Sequence, residues 1–292
     1  MLRLPAWMRT DLRTDREFTR VHGLLADRGL HTVCQSARCP NRHECWNNGT
    51  ATMMILGDTC TRRCRFCAVS KGSPSGVDAS EPDRVAAAAK EMGLRYAVLT
   101  SVTRDDLPDG GAGVFAESIR AIRREIPGAG VEVLVPDFQG ARNPLNTVLE
   151  AGPDVFAHNL ETVRRLQPLV RPQASCECSL SVLRFAADFR PAVAVKSGLM
   201  LGMGESDEEV FQSLDDLLVA GCELLTLGQY LAPSAAHHPV ARFLTPDEFD
   251  GLADKARMMG FKGVASAPRV RSSYKAAELL SAVRRGAACR RS

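Results

Sequence analysis

Three cysteines, Cys60, Cys64 and Cys67, follow one another in a C-x3-C-x2-C arrangement, called here the downstream triplet. A loop with this spacing can wrap three thiolates around three corners of one iron-sulfur cubane. Three protein ligands leave the fourth iron open, so such a cluster can bind a small molecule as well as pass electrons. A structural zinc ion is the alternative, but zinc sites of that kind usually use two C-x2-C pairs. Because this segment has one such pair, the spacing favours an iron-sulfur cluster.

A second group of thiols, Cys34, Cys39 and Cys45, precedes it in a C-x4-C-x5-C arrangement, called here the upstream triplet. Reducing compartments disfavour structural disulfides, so clustered thiols in such a compartment indicate metal ligands or catalysts. One cluster would satisfy one binding task, and the upstream triplet therefore requires a purpose of its own. His43 is spaced like a possible further ligand, although an exposed loop histidine is the alternative interpretation.

The composition is that of an average soluble globular protein, with 45% hydrophobic and 24% charged residues among 292. No segment approaches the ~20 uninterrupted apolar residues of a membrane span, and residues 1–10 carry no signal-peptide core. We therefore expect a soluble, cytoplasmic protein. The formal charge of +3 does not indicate a nucleic-acid partner. The basic runs are interpreted as solvated surface; they are Arg62–Arg63 with Arg65, Arg164–Arg165, and Arg284 to Arg291.

Six short apolar runs rich in β-forming residues recur with helical segments between them. They are Thr52 to Leu56, Tyr96 to Thr100, Val131 to Val135, Val155 to Ala157, Val193 to Leu201 and Leu224 to Leu227. This rhythm predicts repeated βα units with a parallel sheet that is closed or nearly closed as a barrel. Ser206 with Glu209, and Thr245 with Glu248, predict helix starts with capping boxes, and Gly260 predicts the end of the later helix.

These patterns predict three regions. Residues 1–51 form an N-terminal extension that carries the upstream triplet, residues 52–231 form the α/β barrel of about six βα units, and residues 232–292 form a C-terminal extension. The downstream triplet follows the first predicted strand directly. In barrel enzymes the carboxyl ends of the strands are where chemistry occurs, so the barrel positions this triplet at its active face.

The downstream triplet, with Phe66 just before its last cysteine, resembles the signature of the radical S-adenosylmethionine (SAM) superfamily. The resemblance implies a partial TIM barrel in which the open iron of a 4Fe-4S cluster binds the amino and carboxylate groups of SAM. Reductive cleavage of SAM would then give methionine and a 5′-deoxyadenosyl radical that abstracts hydrogen from unactivated carbon. Phe66 would lie near the adenine, although a packing role is the alternative.

The upstream triplet and the tetrapeptide Arg271–Tyr274 together resemble the lipoyl synthase family. This resemblance implies a second, auxiliary 4Fe-4S cluster that is dismantled to donate sulfur, with Ser273, or alternatively Ser272, as its fourth ligand. One departure is Ala267, where the family usually has glycine; alanine is tolerable there if its φ is negative.

Further segments at the predicted strand ends are similar to the same family, and their polar groups would hold the SAM amino acid and ribose. The candidate residues are Thr100, Ser101, Asn159, Glu161, Lys196, Gly202, Glu205, Gln229 and Tyr230. Simpler interpretations exist: the glycines permit a tight turn, Asn159 and Glu161 begin a helix, and Arg104 pairs with Asp105.

The family resemblance implies insertion of two sulfur atoms, at carbons six and eight of an octanoyl group that is amide-linked to a lysine of a lipoyl carrier domain. The implied carriers are 2-oxoacid dehydrogenase acyltransferase subunits and the glycine-cleavage H protein, and the electron donor would be a flavodoxin or ferredoxin. Neither a membrane nor a nucleic acid is expected as a partner. Arg38, Arg42 and the basic tail are candidates for docking an acidic carrier.

Three alternatives stay open at this point. A biotin synthase-like enzyme performs similar chemistry but lacks an upstream triplet, and a tRNA methylthiotransferase should carry a basic RNA-binding module. A non-enzymatic zinc-stapled protein is the third. The remaining thiols, Cys176, Cys178, Cys222 and Cys289, match no cluster spacing and are interpreted as packing or surface residues.

Overall fold

The computed structural model describes residues 3–189 and 192–289, with side chains described as far as residue 284. The chain forms two compact units. The first unit is Thr10–Asp154, and the second consists of the described residues of Met1–Arg9 and Val155–Ser292.

The first unit contains six helices and six strands. The helices are α1 (Arg16–Asp27), α2 (Val33–Ser36), α3 (Arg42–Asn47), α4 (Glu81–Glu91), α5 (Ala112–Glu125) and α6 (Arg142–Glu150). The strands are β1 (His31–Thr32), β2 (Thr52–Ile55), β3 (Thr59–Cys60), β4 (Ser70–Lys71), β5 (Tyr96–Ser101) and β6 (Gly130–Leu134). Strands β2, β5 and β6 pair in parallel, β1 pairs antiparallel with β2, and β3 pairs with β4 in a separate two-stranded sheet.

Burial explains why these segments form these elements. Strand β2 is buried at all four positions, as expected of a parallel strand covered on both faces. Helix α5 buries Phe115, Ile119 and Ile122, whose spacing places them on one face of the helix. Helix α4 begins with Pro82 in its first turn, where the missing N–H of proline removes no helical hydrogen bond.

The second unit carries a parallel sheet in which β7 (Val155–Ala157) pairs with β8 (Ala194–Leu201), β8 with β9 (Leu224–Gln229), and β9 with β10 (Gly263–Ser266). Its helices are α7 (Gln167–Val170), α8 (Cys176–Phe189), α9 (Asp207–Val219), α10 (Pro246–Met259) and α11 (Ala276–Cys289). Within the described parts of both units, no helix combines the length and the apolar character needed to cross a membrane.

All six predicted strands are present, with ends that differ from prediction by two residues at most. The capping boxes at the starts of α9 and α10 are confirmed, and Gly260 ends α10 with a φ of 121°. The parallel α/β architecture is therefore confirmed. Strands β1 and β10 were not predicted, because β1 has only two residues and β10 is a Gly-Val-Ala-Ser segment with little apolar character. The division at residues 51 and 231 stays a prediction.

Candidate iron-sulfur and cofactor site

The upstream triplet is held by two short helices and the turn between them, residues 33–47, called here the upstream segment. Cys34 lies in α2, Cys45 lies in α3, and Cys39 lies in the turn, where its amide donates to the Cys34 carbonyl at 3.0 Å. The turn is made by Arg38 in the left-handed region, with a φ of 52°. Burial, and after it the negative charge that Cys34 and Cys39 would carry, raises the pKa of Cys45.

Cys34 is buried, whereas Cys39 and Cys45 are half-buried. Burial is the largest cause that raises the pKa of Cys34, and it raises that of Cys45 to about 12. Hydrogen bonding from Thr52 opposes the shift in pKa at Cys34, and hydrogen bonding from Thr50 opposes it at Cys45. Because the raised pKa values disfavour thiolates, a bound metal centre would have to displace protons and supply positive charge.

Aromatic packing surrounds the same segment. Phe18 of α1 stacks on His43 with ring centroids 5.0 Å apart and contacts Trp46 at 5.0 Å. The Arg42 guanidinium lies 5.9 Å from the Phe18 ring centroid and 5.7 Å from that of Trp46. Nδ1 of His43 is buried without a hydrogen-bond partner among the described residues. Stacking accounts for the position of His43, and its role as a ligand stays a prediction.

The downstream triplet lies in the loop that follows β2. This loop begins with Leu56 at a φ of 68°, and the buried carboxylate of Glu81 accepts a hydrogen bond from the Leu56 amide at 2.7 Å. Cys60 ends β3, and the Cys67 amide donates to the Cys64 carbonyl at 3.3 Å. A buried acceptor therefore stabilises a backbone conformation that a leucine seldom adopts, directly before the three thiols.

The sulfur of Cys60 accepts two backbone hydrogen bonds, from the amides of Arg62 at 3.4 Å and Thr103 at 3.3 Å. The interpretation of Arg62 as a solvated residue is wrong. Its side chain is buried and forms ion pairs with Asp105 and Asp137, because two carboxylates compensate its desolvation. The suggested pairing of Arg104 with Asp105 is also wrong, since Arg104 pairs with Asp106 instead.

The two triplets lie at opposite ends of one short strand. Thr52, which hydrogen-bonds to Cys34, is the first residue of β2, and the downstream loop follows its last residue, Ile55. Three residue steps along a strand cover about 10 Å. A single buried strand therefore sets the spacing between two groups of cluster ligands.

Among the SAM contacts predicted in the first unit, Ser101 is the most suggestive. Its hydroxyl is buried at the carboxyl end of β5 and has no hydrogen-bond partner among the described residues. The Thr100 hydroxyl, by contrast, donates to the Leu134 carbonyl of the neighbouring strand at 3.0 Å. Phe66 is half-buried in the downstream loop. An orphaned buried hydroxyl at a strand end is what a bound polar ligand would satisfy.

In the second unit, three predicted site residues form one chain of hydrogen bonds. The Ser272 hydroxyl donates to Asn159 Oδ1 at 2.9 Å, and Asn159 Nδ2 donates to Glu161 Oε1 at 3.2 Å. Glu161 has a φ of 71°, and burial raises the pKa of its carboxyl against the opposing charges of Arg171 and Arg271. The Arg-Ser-Ser-Tyr segment therefore contacts the segment that follows β7.

The other predicted contacts in the second unit are engaged internally. The Gln229 amide nitrogen donates to three backbone carbonyls, and its oxygen accepts from the Leu244 amide. The Tyr230 hydroxyl donates to the His238 carbonyl at 2.7 Å, and the Glu205 carboxylate accepts from the backbone amides of its own turn. Lys196 is fully buried.

Gly202 has a structural reason to be glycine. Its φ is 94°, and an added Cβ would lie 2.2 Å from the Gln229 amide nitrogen and 2.4 Å from the Arg242 carbonyl. Ala267, in contrast, lies outside the left-handed region, so alanine is accommodated where the family usually has glycine. The predicted roles of Gly202, Glu205, Gln229 and Tyr230 toward SAM stay predictions.

The thiol ligands of both triplets are of the type that iron-sulfur clusters use. Within residues 3–189 and 192–284, no group of three His, Cys, Asp or Glu side chains is arranged to hold one metal ion. A zinc ion needs its ligands converged at about 2.0–2.3 Å from one centre, whereas a cubane places each thiolate on a separate iron. Three thiolates in each triplet match the ligand set of a 4Fe-4S cluster with one open iron.

Two of the four remaining thiols are packed in the interior. Cys176 and Cys222 are buried, and burial raises the pKa of each thiol. Cys178 is half-buried, and Cys289 lies at the end of α11, where side chains are outside the described residues. Residues 290–292, at the end of the basic tail, are also outside the part of the chain that the structure describes. Sequence reasoning missed Glu81 and Asp137, which carry no motif and become significant only through the loops they hold.

The comparisons with known proteins agree with this chemistry. Residues 54–217 match the radical SAM superfamily. Lipoyl synthase from Pyrobaculum arsenaticum is 57% identical over 96% of this chain and 95% of its own length. The lipoyl synthase from Symbiobacterium thermophilum is 54% identical, over 94% of this chain and 86% of its own length.

Solved structures support the fold at much lower identity. HydG, a maturase of the FeFe-hydrogenase, superposes with a TM-score of 0.58 at 15% identity, over 79% of this chain and 53% of its own. SuiB from Streptococcus suis, bound to S-adenosylmethionine, gives 0.56 at 9% identity, over 75% and 52%. With two thiol triplets, an α/β fold of the radical SAM type and high identity over nearly its whole length, the chain belongs to the lipoyl synthase family of the radical SAM superfamily.

Proposed function

We propose that this chain inserts two sulfur atoms, at carbons six and eight of an octanoyl group on a carrier-protein lysine, to give the lipoyl cofactor. The observation that carries the proposal is the pair of thiol triplets in one compact unit, at the two ends of β2. The two target carbons have no acidic proton and no leaving group, so acid-base or nucleophilic catalysis by side chains cannot functionalise them.

The residues divide into two ligand sets. The downstream triplet would hold the SAM-binding 4Fe-4S cluster, and the upstream triplet would hold the auxiliary 4Fe-4S cluster. When bound, these groups supply a radical that abstracts hydrogen from unactivated carbon and the sulfur that replaces the hydrogen. The contribution of the protein is to fix both ligand sets relative to each other and to exclude water.

Polar groups at the strand ends would hold SAM. The orphaned Ser101 hydroxyl supports a contact in the first unit, and the Asn159–Glu161 pair in the second unit supports contacts with the ribose hydroxyls. Phe66 would lie beside the adenine. Further contacts with the SAM amino acid and ribose are proposed for Thr100, Lys196, Gly202, Glu205, Gln229 and Tyr230.

Ser273 is proposed as the fourth ligand of the auxiliary cluster. The hydroxyl of Ser272 donates to Asn159 Oδ1 at 2.9 Å, which places Ser272 beside the proposed ribose contacts. An alkoxide is an unusual iron ligand, and its lability suits a cluster that must release iron. Ser273→Ala should therefore abolish lipoyl formation, while Ser272→Ala should retain product and weaken SAM binding.

The proposed macromolecular substrate is an octanoylated lipoyl domain, either of a 2-oxoacid dehydrogenase acyltransferase subunit or of the glycine-cleavage H protein. A flavodoxin or ferredoxin would supply electrons in the cytoplasm. Arg38 lies next to the upstream triplet in the turn between α2 and α3, which makes it a candidate for docking an acidic carrier. Arg42 packs over two aromatic rings, so its charge is partly committed there.

Anaerobic turnover with an octanoyl-lysine peptide tests the proposal directly. The reconstituted full chain, SAM and a low-potential reductant should convert the peptide into the dihydrolipoyl form, detected by its mass gain of two sulfur atoms. Deoxyadenosine without any thiolated peptide would contradict the sulfur-inserting function. Neither product, from protein that carries a full complement of clusters, would contradict the radical SAM assignment of the site.

A further inference from the structure

A buried guanidinium lies inside the downstream loop. Arg62 stands between two cluster cysteines, yet its side chain is only 6% exposed. Its Nε and Nη2 atoms donate to the Asp105 carboxylate at 2.7 and 2.9 Å. Its Nη1 and Nη2 atoms donate to the Asp137 carboxylate at 2.6 and 2.7 Å. One guanidinium therefore binds two carboxylates with paired hydrogen bonds, the strongest geometry that such groups form.

The two carboxylates come from different loops of the first unit. Asp105 lies in the loop after β5, and Asp137 lies in the loop after β6. Gln139 contacts both carboxylates. Its backbone N–H donates to Asp137 Oδ1 at 2.9 Å, and its side-chain Nε2 donates to Asp105 Oδ1 at 3.2 Å. Arg62 thus joins the loops that follow three neighbouring parallel strands, β2, β5 and β6.

The loop after β5 also contacts a cluster ligand. The Thr103 amide donates to the Cys60 sulfur at 3.3 Å, while the Thr61 amide donates to the Thr103 carbonyl at 3.1 Å. The Asp105 amide donates to the Thr61 hydroxyl at 3.2 Å. These contacts require residues 103–105 to stay against residues 60–62, which is what the Arg62–Asp105 ion pair enforces.

Resting on the proposed function, we propose that Arg62 is a positioning residue for the SAM-binding cluster. Its guanidinium fixes the amides of Arg62 and Thr103 against the Cys60 sulfur, and those amides raise the reduction potential of the cluster that this sulfur would bind. Hydrogen bonds to cluster sulfurs are an established determinant of potential, since they stabilise the more negative, reduced state.

Lysine cannot replace arginine in this role. An ammonium carries the same charge but lacks the planar fork that reaches two carboxylates at once. With one of the two ion pairs lost, the positive charge would offset less of the repulsion between Asp105 and Asp137. The loop after β5 would then move away from Cys60. The Thr103 hydrogen bond to sulfur would weaken, while the thiols themselves remain.

The test uses the reconstituted full chain and compares wild type with Arg62→Lys and Asp105→Asn. Arg65→Lys is the matched control, because Arg65 lies in the same loop and is exposed. The readouts are the midpoint potential of the cluster whose electron paramagnetic resonance signal SAM perturbs, and kcat and KM for deoxyadenosine formation. Thermal unfolding of the cluster-free chain is measured in parallel.

Both test variants should bind the cluster with a more negative midpoint potential. Deoxyadenosine formation should slow roughly tenfold, the scale of losses at residues that orient metal ligands. KM for SAM should be unchanged, because Arg62 holds the loop and not the substrate. Arg65→Lys should match wild type in all readouts. If Arg62→Lys does not fold, Asp105→Asn decides the outcome. The Asp105 carboxylate is partly exposed and forms one of the two ion pairs of Arg62.

A wild-type potential and rate in the folded test variants would overturn the proposal, even if their melting temperatures fall, because the role would then be stability alone. This result is distinguishable from failure of the proposed function. If the proposed function were wrong, the wild-type chain and all variants at position 62 would show no cluster signal that SAM perturbs.

Discussion

The two thiol triplets lie on the same unit but in opposite surroundings. The upstream segment is supported by aromatic packing: Trp46 is fully buried, and Phe18 packs against it from α1. The downstream loop is held by charge, with Arg62 fixed between Asp105 and Asp137, and by amides that donate to the Cys60 sulfur. Aromatic packing supports one triplet, and charge pairing with directed hydrogen bonds supports the other.

This difference matches the two tasks proposed for the clusters. A cluster that must accept an electron repeatedly benefits from fixed donors that tune its potential and keep its ligands in place. A sulfur donor instead needs shielding from water until its substrate arrives, which apolar packing provides without binding its sulfur tightly. Identical cysteine ligands can therefore serve different functions when the residues that pack around them differ.

The largest effect should come from removing one ligand of each triplet. Cys64→Ala should abolish both deoxyadenosine and lipoyl formation, because the SAM-binding cluster is lost. Cys39→Ala should abolish lipoyl formation and leave deoxyadenosine measurable by chromatography. Thiolation of an octanoyl carrier peptide by Cys39→Ala would show that the upstream triplet is not the sulfur donor.

The next effect concerns the apolar surroundings of the upstream segment. Trp46→Ala should lower the free energy of unfolding by about 3–5 kcal/mol, the scale for truncating a large buried aromatic residue. Denaturant unfolding of the cluster-free chain measures this loss. Trp7→Ala is the matched control, since Trp7 is 43% exposed and should cost about 1 kcal/mol through its hydrogen bond to the Leu244 carbonyl. Equal losses in the two variants would contradict the buried role of Trp46.

Breaking the charge pairing in the downstream loop should destabilise the chain by a comparable amount, and it should affect only the SAM-binding cluster. Asp137→Ala leaves Arg62 buried beside a single carboxylate, and breaking such a pair costs about 3 kcal/mol of unfolding free energy. Asp83→Ala is the control, because its ion pair with Arg124 is solvent-exposed and contributes at most about 1 kcal/mol. Asp137→Ala should also slow SAM cleavage and leave retention of the auxiliary cluster unchanged. If Asp137→Ala instead lost the auxiliary cluster and kept the SAM-binding cluster, Asp137 would support the upstream triplet and not the downstream one.

The smallest effect should come from the cation–π contacts of Arg42. Arg42→Ala should destabilise the cluster-free chain by about 0.5–1 kcal/mol, because the guanidinium lies over Phe18 and Trp46 near the surface. Arg42→Lys, which keeps the charge but loses the planar stack, should give an intermediate value. A loss in Arg42→Lys equal to that in Arg42→Ala would show that the stack, and not the charge, stabilises the segment.

The sequence predicts the parallel strands well because their apolar runs are long and are separated by helices with clear start signals. The capping boxes at Ser206 and Thr245 illustrate this, since each depends on residues only three positions apart. Local patterns of this kind do not need the tertiary structure to be interpreted. Strand β1 is different, because its two residues become a strand only through pairing with Met53 and Met54.

The cysteine ligands of the site could be predicted from the sequence, whereas the residues that hold their loops in place could not. The cysteine spacings carry a chemical signature, whereas Arg62 belongs to a basic run that in most proteins faces solvent. Its burial depends on Asp105 and Asp137, which lie 43 and 75 positions away in the chain. Pairings at such separations follow from the order of strands in the sheet, which single-sequence patterns do not contain.

The most direct test of the account is the iron and sulfide content of the anaerobically reconstituted full chain, measured together with Cys39→Ala and Cys64→Ala. The wild type should bind enough iron and sulfide for two 4Fe-4S clusters, and each variant should bind enough for one. In addition, SAM should perturb the resonance signal of Cys39→Ala and not that of Cys64→Ala. A wild-type chain that binds only one cluster, or variants that both retain two, would contradict it.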